Sequence, residues 1–128
     1  METQVRDLWP SDIGIVTLVT PVSILREQAA FLGEKTGNLV QAEVKTTSNG
    51  PSVVHSLYLI APAMGGYRYR LLSAAHNVEV YPLNINFEPT SVSIMVETED
   101  EFTEYLGELL SSEKTINIVK SLVAQSRQ

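Results

Sequence analysis

Residues 52–76 read SVVHSLYLIAPAMGGYRYRLLSAAH, and the way this stretch folds decides the sheet. Both arms are rich in Val, Leu, Ile and Tyr, side chains that suit a pleated, half-buried surface. Between them, Pro62-Ala63-Met64-Gly65-Gly66 supplies a turn whose adjacent glycines adopt positive φ without strain. The stretch is therefore a β-hairpin. A two-residue turn at Gly65-Gly66 sets His55 directly opposite His76. A four-residue loop over 63–66 makes the two histidines diagonal neighbours. Either register gives the same faces, because side chains alternate along a strand. One face carries Val53, His55, Leu57, Leu59 and Ala61 with Arg68, Arg70, Leu72, Ala74 and His76. The other carries Val54, Ser56, Tyr58 and Ile60 with Tyr67, Tyr69, Leu71, Ser73 and Ala75. Neither face is uniformly polar, so both sides are expected to be covered at least in part, by helices or by a second subunit.

Upstream, Val40, Ala42 and Val44 alternate with Gln41, Glu43 and Lys45, which predicts a strand over 39–47. The turn over 47–51, with Asn49-Gly50 at its centre, leads into the hairpin. Before the strand, Thr20-Pro21 is a helix start, Thr as N-cap and Pro at the first helical position. Leu25, Ala29 and Leu32 at helical spacing extend that helix over 21–35. Residues 13–20, dense in Ile, Val and Thr, predict a further short strand that Gly14 weakens. Residues 1–12 read as an extended arm, with Trp9 expected to pack back on the core.

Downstream, an extended piece is expected over 78–87, edge-located or interrupted at Pro82, which cannot donate to a ladder. A strand over 91–97 follows. Thr98 with Glu101 is a capping box opening a helix that ends near 111–112, and Ile116, Val119, Leu122 and Val123 define a last helix over 113–125. The expected fold class is α+β. It has a single, mostly antiparallel meander sheet of four to five strands, one N-terminal helix and two C-terminal helices packed on it, in one domain spanning 1–128.

The composition fits such a domain: of 128 residues 44% are hydrophobic and 19% charged, a globular balance. Cysteine is absent, so disulfides, thiolate metal sites and a cysteine nucleophile are excluded. The start of the chain lacks the basic and apolar regions of a signal peptide, and the apolar-rich runs 13–22 and 57–64 are too short to span a bilayer as helices. A soluble, cytoplasmic protein is expected. Nine Lys and Arg against fifteen Asp and Glu give a net charge of −6, which opposes the basic footprint of a duplex nucleic acid binder.

Candidate chemistry sits on the hairpin. His55 and His76 are the only histidines, and either register makes them neighbours, as a metal-ligating or pH-sensitive pair or as a hydrogen-bonded structural one. A zinc site would need a third ligand, and Glu79 is near in sequence alone. Tyr67-Arg68-Tyr69-Arg70 interleaves aromatic and basic residues, but on a strand they point to opposite faces and form no mixed surface. What remains is an arginine pair, Arg68 and Arg70, facing an anion, an acidic partner or the chain's own carboxylates. The acidic run Glu97, Glu99, Asp100, Glu101, Glu104 and Glu108 reads as a solvated helix start. Ser73 and His76 diverge on their strand, and no P-loop, G-x-S-x-G or G-x-G-x-x-G occurs.

No catalytic residue, metal or cofactor is assigned. The expected function is a non-enzymatic protein–protein interaction or accessory module acting through apolar sheet and helix surfaces, with a protein partner or self-association. The alternative is a small-ligand or anion-binding domain, at most a minor enzyme, with a pocket near Arg68, Arg70, His55 and His76. A concave hairpin face bearing those four residues favours the second; a face lying flat against a helix or subunit favours the first.

Overall fold

A computed structural model describes residues 5–128. The elements are α1 (Pro21–Lys35), β1 (Gln41–Asn49), β2 (Ser52–Ala61), β3 (Tyr67–His76), β4 (Leu83–Phe87), β5 (Val92–Val96), α2 (Glu99–Leu110) and α3 (Glu113–Ser126), with a single 3-10 turn, Pro62–Met64, in the hairpin. The five strands form one antiparallel meander in the order β1-β2-β3-β4-β5. One helix precedes the sheet and two follow it, which is the α+β arrangement expected. No helix among the described residues is long and apolar enough to cross a membrane.

Local chemistry explains the helix ends. The Thr20 hydroxyl accepts from the Ser23 amide and Pro21 opens α1. The Thr98 hydroxyl accepts from the Glu101 amide, and the Glu101 carboxylate reaches back to the Glu97 amide. Ser112 caps α3 in the same way, accepting from the Thr115 amide. The Thr115 hydroxyl, buried at the α2–α3 corner, donates 2.7 Å to the Leu109 carbonyl and fixes the angle between the helices.

The core lies between the helices and one face of the sheet. Leu57, Leu59, Leu72, Ala74, Leu83, Ile85, Phe87 and Val96 meet Leu25 of α1, Phe102, Leu106 and Leu109 of α2, and Leu122 of α3. The other face carries no helix. At its β4–β5 end Asn84, Asn86, Ser93 and Met95 are exposed. Of the covers expected, the helices serve one face only, and Val54, Ser56, Tyr58 and Ile60 on the other are buried or half-buried all the same.

The reason is one residue in β3. Val53 pairs with His76 and Leu57 with Leu72, but Tyr58 pairs with Arg70 and Ala61 with Tyr67. Leu71 is therefore a β-bulge, an extra residue that shifts the alternation of everything before it. Leu71 and Leu72 are both fully buried on the helix side. Tyr67 and Tyr69 share that side with Leu59 and Ala61, while Arg68 and Arg70 lie on the open side with Tyr58 and Ile60. With this shift the two faces sort into an apolar one and a more polar one.

Two further expectations are corrected. Residues 13–20 form no strand: a turn spans Asp12 to Ile15, closed by the Ile15 amide on the Asp12 carbonyl, and the rest has no regular structure. β-branched residues favour a strand only where a neighbour completes the ladder. Trp9 does not pack on the core and is 73% exposed. The piece expected over 78–87 is interrupted at Pro82, one of the two arrangements expected, and is a strand from Leu83 to Phe87.

Candidate functional site

The four residues singled out from the sequence do not share a face. His55 and His76 lie on the helix side of the sheet; Arg68 and Arg70 lie on the open side. Within the histidine half of the hairpin the register is the diagonal one, with His55 across from Ala74.

His55 is 5% exposed. Its Nδ1 lies 2.8 Å from Thr46 Oγ1 on β1, and its Nε2 lies 2.9 Å from Nε2 of His76. His76 Nδ1 lies 2.6 Å from the Asn77 carbonyl. The proton positions follow from these partners. A carbonyl only accepts, so His76 Nδ1 carries a hydrogen and its Nε2, in the neutral ring, accepts. His55 Nε2–H then donates to it, and His55 Nδ1 accepts from the Thr46 hydroxyl. The chain Thr46 → His55 → His76 → Asn77 is complete with both rings neutral. One extra proton fits if His55 changes tautomer and donates to the Thr46 oxygen. A second does not, because N–H would then face N–H. Burial first, then the neighbouring His76 and the positive charge of Arg26, hold the His55 imidazole below the ordinary histidine range.

A pH dependence follows. The folded state holds His55 neutral where the unfolded chain, at about pH 6.5, already takes up the proton. Its contribution to stability is full above that pH and is lost as pH falls through the lower folded value. Denaturation midpoints of the wild type are expected to drop between pH 8 and pH 5.5. In His55→Gln, whose amide serves both Thr46 and His76, the drop should shrink. An equal drop in both would assign the effect to other groups.

No group of three or more His, Cys, Asp or Glu side chains converges among the described residues, so Glu79 completes no ligand set. The four ring nitrogens of the histidine pair are engaged with protein partners.

The arginines hold the chain's own carboxylates. Arg68 Nη1 lies 3.0 Å from Glu43 Oε2, and its guanidinium stacks 4.9 Å above the Tyr58 ring. Arg70 pairs with Glu88, which follows β4. Both pairs are solvent-accessible and contribute little to stability. They cover the half-buried aromatic and aliphatic side chains of β2 on the open face.

Two features escaped the sequence. The first is a cleft of about 330 Å³ between α1 and α3, floored by Leu57, Leu59 and Leu71 and walled by Leu32 and Val119. Phe31 and Ile116 flank it, 49% and 40% exposed. The signal available was their position: each is an apolar residue set off the buried stripe of its helix. The second is the segment 5–19, exposed throughout, with Ile15 at 78%, Val16 at 70% and Leu18 at 53%. Against it stands the β5 edge, where Val92, Ile94 and Met95 are also exposed. Comparison with protein-family models, curated proteins and solved structures finds no match to this chain.

Proposed function

We propose that this protein is a non-enzymatic interaction module that assembles with a second copy of itself, residues 13–19 of one chain adding a sixth strand to the β5 edge of the other. The observation that carries this reading is the pairing of an exposed, strand-forming, uncharged segment with an exposed, uncharged sheet edge in the same chain. Residues 13–19 read IGIVTLV and β5 reads VSIMV. An edge of unpaired backbone groups with apolar side chains and no Lys, Glu or Pro is a template for another strand. The opposite edge, β1, carries Glu43 and Lys45 and is protected in the usual way.

The placement of α1 favours the second copy over the same chain. Helix α1 packs mainly on β1, at the opposite edge of the sheet from β5, and also touches β2 and α2. Thr20 alone joins residue 19 to Pro21 of α1, and the two steps reach at most about 7 Å. A segment tied this closely to a helix over the β1 side is supplied to β5 more readily by a second copy than by its own chain. Reciprocal exchange closes a two-fold dimer. The histidine and arginine contacts are made within the chain's own sheet and its flanking turns and are read as structural.

Ile94→Lys tests the edge. A charge placed among the exposed apolar residues of β5 is expected to weaken association at least tenfold, or about 1.4 kcal/mol, as read by light scattering on a sizing column. Thr47→Lys, on the β1 edge, should leave it unchanged. Association of Ile94→Lys at the wild-type level would contradict the assignment.

A further inference from the structure

The cleft between α1 and α3 has a chemistry of its own. Its floor and walls are almost wholly apolar. The two threonines in its lining are turned away: the Thr36 hydroxyl bonds the Leu32 and Val40 carbonyls, and that of Thr115 bonds the Leu109 carbonyl. The side chains left to meet a polar group are Gln28, Lys35 and Lys120. No Asp or Glu lines the cleft, although acids outnumber bases by fifteen to nine in the chain. Neither lysine has a carboxylate three or four residues away on its own helix, where the helical spacing would supply one. Neither makes an ion pair among the described residues. A cavity of about 330 Å³ with apolar walls and few polar groups falls at the small end of ligand sites.

We infer that this cleft binds a long-chain carboxylate, the hydrocarbon tail lying between Leu32 and Val119 over the sheet and the carboxylate held at the mouth by Lys120 with Lys35. Apolar walls without donors or acceptors reject sugars, nucleotides and peptides, each of which would bury unpaired polar groups. The two unpaired ammonium groups select an anionic end over a neutral one. Lys35 also stands in the last turn of α1, where a cation suits the helix end, so Lys120 is the cleaner position to test.

The probe is dodecanoate below its micelle concentration, titrated into the intact chain by calorimetry, with dodecanol as the neutral tail. Chemical shifts of the amide groups locate the site. The expected result is one saturable site per chain with shifts confined to α1, α3 and the facing β2. Dodecanol should bind about tenfold more weakly, and Lys120→Gln should lower dodecanoate affinity by a similar factor while leaving dodecanol unchanged. Ala29→Trp, which fills the cleft, should abolish both, with its circular dichroism retained. Absence of saturable binding would overturn the inference. So would equal binding of acid and alcohol, since the groove would then be apolar only, or shifts spread over the whole surface. The readout is ligand stoichiometry, so it stands apart from the state of assembly.

Discussion

Deletion of Leu71 is expected to leave the protein folded. The residue is an insertion in the β2–β3 ladder, so without it Leu72 stays opposite Leu57 and Arg70 opposite Tyr58, now in unbroken alternation. Arg68 and Arg70 keep the open side with Glu43 and Glu88, and Tyr67 and Tyr69 keep the helix side. What is lost is a fully buried leucine side chain, at about 2–5 kcal/mol as for Leu71→Ala, against a typical total stability of about 5–15 kcal/mol. Thermal melts followed by circular dichroism should therefore give a cooperative, lowered transition for the deletion and for Leu71→Ala alike. Loss of the cooperative transition in the deletion alone would contradict this register.

The same residue marks the limit of what the sequence disclosed. The helices were legible because their ends carry local chemistry: Thr20 with Pro21, Thr98 with Glu101, and an apolar stripe through Phe102, Leu106 and Leu109. The meander was legible because Asn49-Gly50 and Gly65-Gly66 mark tight connections between strand-like runs. The faces of β3 were not. A period of two is read from neighbour to neighbour, and one inserted residue inverts every later assignment without altering composition. Leu71-Leu72 was the available sign, two adjacent large apolar residues that a regular strand sends to opposite faces. The site suffered in turn: His55 and His76 do meet, whereas Arg68 and Arg70 belong to another surface. The α1–α3 cleft was out of reach because it arises from the relative placement of two helices distant in sequence. Residues 13–20 have the composition of a strand and no partner strand among the described residues of their own chain.

That mismatch motivates the second prediction. Removing residues 1–19 should convert a dimer into a monomer while leaving the fold almost untouched. Residues 5–19 are exposed throughout and contribute nothing to the buried core, so their loss should move the denaturation midpoint of the monomer little. The dimer would lose the strand pairing and the apolar contacts of Ile13, Ile15, Val16 and Leu18 along β5. The expected change in association is a hundredfold or more, or about 2.7 kcal/mol. Ile94→Lys in the shortened chain should then have no further effect on association, because both changes remove the same contact. An additional loss would place the segment and the edge at separate interfaces.

Sedimentation equilibrium of the intact chain over a range of micromolar concentrations tests self-assembly most directly. A reversible monomer–dimer equilibrium, absent from the chain beginning at Thr20, is the predicted result. A strict monomer at every concentration would contradict it.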